Sequence, residues 1–163
     1  MATDDHYVII GNGPSGNRAG EILQKNDPEA RITIISDESV PLYYKHKLTS
    51  FIAGYVKEDE LMAESGLDPE RVRMRLGQCV ERIDPENSRI FLRHMEKVHY
   101  TKLIIAAGGR PVLPQSMSAF SDHLSFLSCF RDVITQKEPV NQAEKFFVIG
   151  GDLVGFRFVK MLA

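Results

Sequence analysis

Three glycines near the start of the chain have a spacing that lets a backbone turn contact a phosphate group. They are Gly11, Gly13 and Gly16, in a Gly-x-Gly-x-x-Gly stretch that also holds Pro14 and Ser15. The first glycine allows a tight turn, the second lets an anion approach the backbone, and the third lets a helix pack against a strand. Pro14 suits a first helical turn, where its missing N–H group has no helical partner. The stretch therefore predicts a pyrophosphate-binding turn.

The residues around this turn indicate a strand, a turn and a helix in succession. The apolar run at 8–10 is typical of a strand covered on both faces of a parallel sheet, which predicts a strand at 7–11. Apolar residues at helical spacing predict a helix at 14–25, and the next apolar run predicts a strand at 31–36. This order is the context that a phosphate-binding glycine turn requires.

Two acidic residues, Asp37 and Glu38, follow the second strand. A carboxylate roughly 20 positions beyond the last glycine of such a turn is typical of one that binds the ribose hydroxyls of a dinucleotide. The position of this pair after Gly16 therefore predicts a dinucleotide site. The simpler alternative is a glycine-rich turn without a ligand.

The composition excludes several classes of protein. A length of 163 residues indicates one domain, or one domain and a fragment, and the net charge of −2 at pH 7 indicates no nucleic-acid or anionic-membrane partner. No apolar run approaches the roughly 20 residues that span a bilayer, and the acidic start is not a secretory signal. Cys79 and Cys129 are far apart and lack metal-ligand spacing, which predicts reduced thiols in a cytoplasmic protein without a metal site.

The rest of the chain changes repeatedly between helical and strand patterns. In chain order the patterns predict a mostly helical segment at 58–70, a strand at 73–77, an antiparallel β-meander at 79–101, a buried strand at 102–107, a loop at 112–123, a helix at 124–136 and a strand at 145–149. The last strand leads into a second glycine-rich turn, at 150–155, and a helix start. Two such turns indicate two nucleotide-binding units.

This order of motifs resembles that of a known family. A nucleotide-binding unit, a β-meander, a strand ending in Ala106-Ala-Gly-Gly-Arg-Pro111 and a second glycine turn also follow one another in the FAD-dependent pyridine nucleotide-disulfide oxidoreductases, flavoproteins with two dinucleotide-binding domains. The stretch at 100–111 is similar to a signature of that family. The stretch Val40-Pro-Leu-Tyr-Tyr-Lys-His-Lys-Leu-Thr49 resembles the subgroup with NAD(P)H nitrite reductase large subunits and rubredoxin reductases.

The resemblance implies an α/β fold. It consists of a Rossmann-like FAD-binding domain with a parallel sheet and a small antiparallel β-meander, followed by the start of a second Rossmann unit. The implied domains are an FAD-binding domain at 1–112, a connecting segment at 113–144 and the start of an NAD(P)-binding domain at 145–163. A helix that reaches Ala163 without a stop signal favours a truncated chain over a naturally short relative.

The resemblance also implies FAD as a cofactor, with NAD(P)H as the electron donor. The candidate cofactor-binding residues are Gly11, Gly13, Pro14, Ser15, Gly16, Asp37, Glu38, Lys45, Cys79, Val80, Ala107, Gly108, Gly109 and Arg110. In this family the glycine turn binds the pyrophosphate, and an acid after the second strand binds the adenosine ribose. Both Asp37 and Glu38 remain candidates for that acid. The backbone at 79–80 is expected to contact the adenine, and residues 107–108 the diphosphate arm.

Lys45 falls where the family has a basic residue near the isoalloxazine ring. A cation there favours an anionic reduced flavin. The alternative is that Lys45 belongs to a solvated basic patch with its neighbours His46 and Lys47. For Cys79 the alternative is a small, buried structural residue.

The implied activity is electron transfer from NAD(P)H through the flavin to a separate acceptor protein or domain. The chain has neither of the cysteine pairs of the disulfide reductases and no cysteine at 42–46, so thiol catalysis is not expected. No catalytic residue is assigned, and nothing in the sequence excludes an oligomer.

The second glycine turn departs from the family pattern. Its candidate nicotinamide-nucleotide residues are Gly150, Gly151 and Gly155. Asp152 stands where the close-approach glycine belongs, and its charge would repel a pyrophosphate. Arg157 replaces a glutamate, and Val159 replaces a small residue. These changes predict impaired or absent NAD(P)H binding. They favour one alternative, a non-catalytic flavoprotein-like subunit or nucleotide-binding partner. A further alternative is a plain NAD-dependent dehydrogenase that uses the first turn, and the meander and the strand that ends at 106–111 argue against it.

Overall fold

The structure is a computed structural model that describes residues 5–162. Contacts divide the chain into two units. The first unit comprises the described parts of Met1–Tyr43 and Glu64–Gly108, and the second unit those of Tyr44–Ala63 and Gly109–Ala163. Residues 44–63 therefore group with the second half of the chain, although the sequence predicts them as part of the first domain.

The described residues form seven strands and five α-helices. The strands are β1 (His6–Ile10), β2 (Arg31–Ile35), β3 (Val72–Arg75), β4 (Val80–Asp84), β5 (Arg89–Leu92), β6 (Lys97–His99) and β7 (Lys102–Ile105). The α-helices are α1 (Pro14–Asn26), α2 (Leu48–Ile52), α3 (Glu58–Leu61), α4 (Phe130–Gln142) and α5 (Leu153–Leu162). Short 3₁₀ segments lie at Lys45–Lys47, Arg93–Met95 and Gln115–His123.

The first unit is built on a four-stranded sheet in the order β3-β2-β1-β7, in which every pair is parallel. Its two central strands are covered on both faces, which explains their continuous apolar sequences. On one face Ile9 and Ile34 are fully buried and belong to a cluster that includes Leu23 of α1. On the other face Val8 and Ile35 belong to a cluster with residues of the meander.

The meander itself is a separate antiparallel sheet in the order β4-β5-β6. Ile90 and Leu92 of β5 are buried in the same cluster as Val8. The parallel sheet with a separate meander confirms the α/β fold class predicted from the sequence.

The second unit is helical in its described part. Helix α2 packs against α4 and α5. The Phe51 ring of α2 stacks on Phe130 of α4 with centroids 6.1 Å apart, and the Lys137 ammonium lies 4.4 Å from the Phe51 centroid. Val133 is the fully buried residue of α4.

Four local predictions are wrong. The helix predicted at 58–70 ends at Leu61, and the helix predicted at 124–136 is α4, which begins six residues later and continues through Pro139. In α4, Asp132 accepts hydrogen bonds from the backbone N–H groups of Ser128 and Cys129, so its carboxylate sets the start of the helix. The region predicted as a loop at 112–123 contains the 3₁₀ segment at Gln115–His123.

The fourth error concerns the strand predicted at 145–149. These residues are irregular in the structure, and the Phe147 side chain is 91% exposed. A strand requires a hydrogen-bonded neighbour, and no described segment pairs with this one. An apolar run alone therefore does not decide whether a strand forms.

Candidate functional site

The first glycine turn joins β1 to α1 and packs tightly on both sides. Gly11 has φ +109°, in the region that favours glycine. A Cβ atom at Gly11 would overlap the Ala106 carbonyl oxygen, and one at Gly16 would overlap the Gly11 carbonyl oxygen. These two glycines therefore hold α1 close to the ends of β1 and β7, which confirms the structural reason for their spacing.

Gly13 differs from both because the space beside it is open. No heavy atom lies within 4 Å of the position a Cβ atom would take, and Gly13 is solvent-exposed. Helix α1 begins at the next residue, and no side chain caps its first turn. The first N–H groups of a helix have no helical partner and carry the positive end of its dipole. The open space and the uncapped amides fit an anion such as a pyrophosphate.

A buried network of polar side chains holds the glycine turn against the start of α1. Asn17, which is 2% exposed, donates from its amide to the backbone and side-chain oxygens of Asn12. The Ser65 hydroxyl donates to Asn17 Oδ1 at 2.6 Å. Sequence reasoning missed these residues, although a polar residue between Gly11 and Gly13 is a signal that could have indicated the network.

The two acidic candidates lie at the carboxyl end of β2. The Tyr43 hydroxyl donates to the Glu38 carboxylate at 2.8 and 3.1 Å, so this carboxylate has a defined position. Asp37 is exposed to solvent. Both carboxylates follow β2, and β2 is the parallel neighbour of β1, which leads into the glycine turn. Ligands of open α/β sheets bind at the carboxyl ends of the strands, where these residues lie.

The segment before β4 lies beside the same strand end. The Gly77 N–H group donates to the Glu38 carbonyl oxygen at 2.9 Å, and the Gln78 N–H group donates to the Ser36 carbonyl oxygen at 2.7 Å. Gln78 Oε1 is buried and has no hydrogen-bond partner among the described residues. Buried acceptors normally have a partner, so Gln78 Oε1 is an exception within the described part of the chain.

Cys79 and Val80 follow this segment directly. The Cys79 carbonyl oxygen accepts a hydrogen bond from the Arg93 N–H group at 3.3 Å, and the Cys79 thiol is half-buried. Val80 pairs with Leu92 and packs against the core of the meander. The structure therefore brings residues 77 and 78 against the end of β2 that carries the two acidic candidates, and Cys79 and Val80 follow them directly.

The residues after β7 lie at the same edge of the parallel sheet as the glycine turn. The Ala106 N–H group donates to the Ile10 carbonyl oxygen at 2.8 Å, so Ala107 follows directly beside the glycine turn. Gly108 has φ +69° and open space around it. The remaining candidates, Lys45, Gly109 and Arg110, belong to the second unit and are exposed there.

The second glycine turn repeats the backbone geometry of the first. Gly150 has φ +125°, and a Cβ atom at Gly155 would overlap the Gly150 carbonyl oxygen. Asp152 occupies the position that Gly13 has in the first turn, directly before a helix. Its Oδ1 atom accepts a hydrogen bond from the Gly155 N–H group at 2.8 Å. The carboxylate of the chain itself therefore caps α5.

Several groups with shifted pKa values lie at the opposite end of the first sheet. Burial, with the charge of Arg31, lowers the pKa of His6, whose Nε2 lies 2.9 Å from the Thr33 hydroxyl. Lys102 forms an ion pair with Asp5 at 2.6 Å, and that hydrogen bond raises the pKa of Lys102. These groups begin β1 and β7, so they stabilise the sheet away from the glycine turn.

Within residues 5–162, no group of three or more His, Cys, Asp or Glu side chains could hold a metal ion. No helix in that range has the length and apolar character needed to cross a membrane.

Known proteins are similar to this chain over nearly its whole length. NADH-rubredoxin oxidoreductase of Clostridium acetobutylicum is 27% identical over 158 residues, covering 95% of this chain and 40% of that protein. Nitrite reductase (NAD(P)H) of Bacillus subtilis (strain 168) is also 27% identical over 158 residues, covering 95% of this chain and 20% of that protein. The chain thus spans less than half the length of these relatives.

A solved structure extends the likeness to the fold. The crystal structure of NADH:rubredoxin oxidoreductase from Clostridium acetobutylicum superposes with a TM-score of 0.78 at 27% identity, covering 97% of this chain and 41% of that one. The profile of a family described as pyridine nucleotide-disulphide oxidoreductase matches residues 5–163. Because this match includes both glycine turns and the meander between them, the chain belongs to the pyridine nucleotide-disulphide oxidoreductase family.

Proposed function

We propose that the chain supplies the FAD-binding part of an NAD(P)H oxidoreductase that passes electrons to a separate acceptor. The observation that carries this proposal is the uncapped start of α1 beside the open space at Gly13. Helix amides that face open space bind a diphosphate without displacing any protein group. The relatives whose names contain rubredoxin and nitrite support electron transfer from a nicotinamide to another centre.

The first unit would hold the cofactor at the carboxyl ends of β1, β2 and β7. The amides of Ser15 and Gly16 would donate to the pyrophosphate, because the first amides of a helix lack a helical acceptor. A carboxylate at 37–38 would accept from the ribose hydroxyls, and the backbone at 79–80 would contact the adenine. We further propose that Gln78 Oε1, a buried acceptor without a described partner, accepts a donor from the adenosine part.

FAD, when bound, supplies two-electron exchange with a nicotinamide and transfer onward to an acceptor. The chain itself would bind and position the adenosine diphosphate part. We also propose the domain limits predicted from the sequence, 1–112, 113–144 and 145–163, and a cytoplasmic location. Cys79 and Cys129 are thiols and not a disulfide, which supports a reducing compartment.

The direct test is a titration of the purified chain with FAD, followed by flavin absorption and fluorescence. We expect saturable binding with one FAD per chain. Failure to take up FAD, in a preparation whose circular dichroism shows a folded α/β domain, would contradict the proposal. Anaerobic mixing of the loaded protein with NADH then tests the activity separately, since bleaching of the flavin requires a working nicotinamide site.

Two variants distinguish the acidic candidates. Asp37→Asn and Glu38→Gln each keep the size of the side chain and remove its charge. We expect Glu38→Gln to weaken FAD binding about tenfold, because the Tyr43 hydroxyl already orients this carboxylate. A loss of affinity confined to Asp37→Asn would assign the ribose to Asp37 instead.

A second candidate function is a non-catalytic subunit that keeps the flavin fold but does not use NAD(P)H. The hydrogen bond from Gly155 to Asp152 favours it, because a protein carboxylate then takes the place of a nucleotide phosphate at α5. Rapid flavin reduction by NADH or NADPH would exclude this alternative. A flavin that stays oxidised with both donors would support it. Identification of NAD in place of FAD in the purified protein would instead favour a dehydrogenase.

A further inference from the structure

Helix α1 has a face of polar side chains that bind a segment of backbone in the same unit. Asn17, Glu21 and Gln24 stand at positions i, i+4 and i+7, so their side chains lie along one side of the helix. The segment that they contact comprises residues 65–68. The Gly66 N–H group donates to the Glu21 carboxylate at 3.1 Å, and the Gln24 amide donates to the Gly66 carbonyl oxygen at 2.6 Å. These bonds hold the segment on α1.

The same segment also packs on α1 at Gly20. A Cβ atom there would lie 2.9 Å from Leu67 Cδ2, so a larger residue would displace the segment. The Asp68 N–H group adds a third backbone hydrogen bond, to Gln24 Oε1 at 3.0 Å. Although Ser65 is exposed, the backbone beside it is therefore bound along the helix. The segment can present a side chain in a fixed place.

Ser65 fixes the orientation of the buried Asn17 amide. The Ser65 hydroxyl donates to Asn17 Oδ1 at 2.6 Å, so the amide nitrogen of Asn17 faces the other way. That nitrogen donates to the Asn12 carbonyl oxygen at 3.2 Å. Because Asn17 is 2% exposed, solvent does not replace either bond if one is removed.

The Asn12 carbonyl belongs to the peptide group that also carries the Gly13 N–H group. This peptide is trans and planar, so its oxygen and its N–H group point in opposite directions. Since Asn17 binds the oxygen, the Gly13 N–H group points away from Asn17, and it has no hydrogen-bond partner among the described residues. Gly13 has no side chain that would restrict the peptide by packing. The direction of this N–H group therefore depends on Asn17.

We propose that Asn17 is a positioning residue of the diphosphate site and that Ser65 holds it in the required orientation. The inference rests on the function proposed above, and it adds the Gly13 N–H group to the amides of α1 that would donate to the diphosphate. Without this support the peptide between Asn12 and Gly13 is free to rotate. A rotated peptide would present a carbonyl oxygen, an acceptor, where the phosphate needs a donor.

The primary test follows the Gly13 amide by NMR while the ¹⁵N-glycine-labelled full chain is titrated with FAD. Gly13→Ala assigns the signal, because the space beside Gly13 is open and its φ of −75° suits alanine. We expect the Gly13 amide proton to shift downfield when FAD binds, as for a new hydrogen bond to an anion. In Asn17→Leu this shift should be lost or much reduced.

The outcomes of this titration separate the two proposals. If FAD binds and the Gly13 proton does not shift, or shifts equally in Asn17→Leu, the positioning role is overturned and the proposed function stands. If FAD does not bind to the unmodified chain, both proposals are overturned. A shift that is present in the unmodified chain and lost in Asn17→Leu supports both.

FAD affinity distinguishes a positioning role from a general loss of stability. Asn17→Leu should weaken FAD binding about tenfold. Thr33→Val is the matched control, because it removes another buried polar group, a hydroxyl that lies 2.9 Å from His6 Nε2. This control should lower the Tm and leave FAD affinity unchanged. Equal losses of FAD affinity in Thr33→Val and Asn17→Leu would show that Asn17 acts only through stability.

Variants of Ser65 keep the inference testable if Asn17→Leu does not fold, because Ser65 is exposed. Ser65→Ala should weaken FAD binding about threefold, and Ser65→Thr, which keeps the hydroxyl, should restore the affinity of the unmodified chain. Ser118→Ala is the control, since that hydroxyl donates to the Gln115 carbonyl oxygen at 2.8 Å in the second unit. The same FAD affinity in Ser65→Ala and Ser65→Thr would overturn the role of Ser65.

Discussion

The two glycine turns have nearly the same backbone and opposite chemistry. Gly11 and Gly150 both have positive φ, and in both turns a later glycine lies against the carbonyl of the first. The residue before the helix differs. Gly13 leaves the first amides of α1 uncapped, whereas Asp152 accepts a hydrogen bond from Gly155 at the start of α5.

This difference shows that the glycine spacing specifies a backbone conformation but does not determine whether a ligand binds. The shape lets a helix begin close to the end of the preceding segment. Whether an external anion binds depends on the one position directly before the helix, since a side-chain carboxylate there competes for the same amides. The comparison therefore predicts an anion site at α1 and a self-capped helix at α5.

The largest expected effect comes from making the first turn like the second. Gly13→Asp should weaken FAD binding about 100-fold, because the new carboxylate repels the diphosphate and caps the same amides. Thermal stability should stay unchanged or rise, since aspartate is a favourable N-cap residue. Flavin fluorescence titration measures the first effect and thermal unfolding the second.

Gly151→Asp is the matched control, because the space at Gly151 is equally open and the residue lies in the second unit. It should leave FAD affinity unchanged. Equal FAD affinity in Gly13→Asp and the unmodified chain would place the cofactor elsewhere.

The next largest effect concerns the rigidity of each turn, measured as the loss of unfolding free energy when a glycine is replaced by alanine. Gly16→Ala should lower the free energy of unfolding by about 1–3 kcal/mol, because the added methyl group overlaps the Gly11 carbonyl oxygen in a turn anchored by a parallel sheet. Gly155→Ala creates the same overlap with Gly150, but residues 145–149 are not paired with a described strand and can shift. Its cost should be below about 1 kcal/mol. Urea unfolding of both variants gives the comparison, and equal losses would show that the second turn is as rigid as the first.

The reverse substitution, Asp152→Gly, should improve NADH or NADPH affinity about tenfold and cost about 1 kcal/mol of stability through the lost cap. Asp152→Asn separates the two causes, because asparagine keeps the capping oxygen and removes the charge. Nicotinamide fluorescence titration of the loaded protein provides the measurement. If neither variant gains affinity, Asp152 is not what limits binding at α5.

The smallest effect concerns the pH dependence of the first unit. Burial, with the charge of Arg31, lowers the pKa of His6, so folding favours the neutral imidazole. Above the ordinary histidine pKa of about 6.5, His6 is neutral in both states and does not destabilise the fold. As the pH falls below that value, the unfolded chain binds more protons than the folded chain, so the free energy of unfolding decreases. We expect the Tm to fall by about 2 °C between pH 7 and pH 5.5. In His6→Gln this part of the decline should disappear, and an identical decline would assign it to other groups.

Much of the first unit could be predicted from the sequence because its signals are local. Continuous apolar runs indicated β1, β2 and β7, and alternation indicated the meander. The start of α1 followed from Pro14 after a glycine. The start of α4 was mispredicted, because the Asp132 carboxylate that accepts from Ser128 and Cys129 has no strong sequence signature.

The sequence by itself determined the order of the motifs, the family and the two glycine spacings, because these depend on neighbouring residues and on backbone freedom. Only the tertiary structure decided which apolar runs become strands, since a strand needs a partner, and residues 145–149 have none among the described segments. It also joined Asn17 to Ser65. These two residues are 48 positions apart in the sequence, so only folding brings them together.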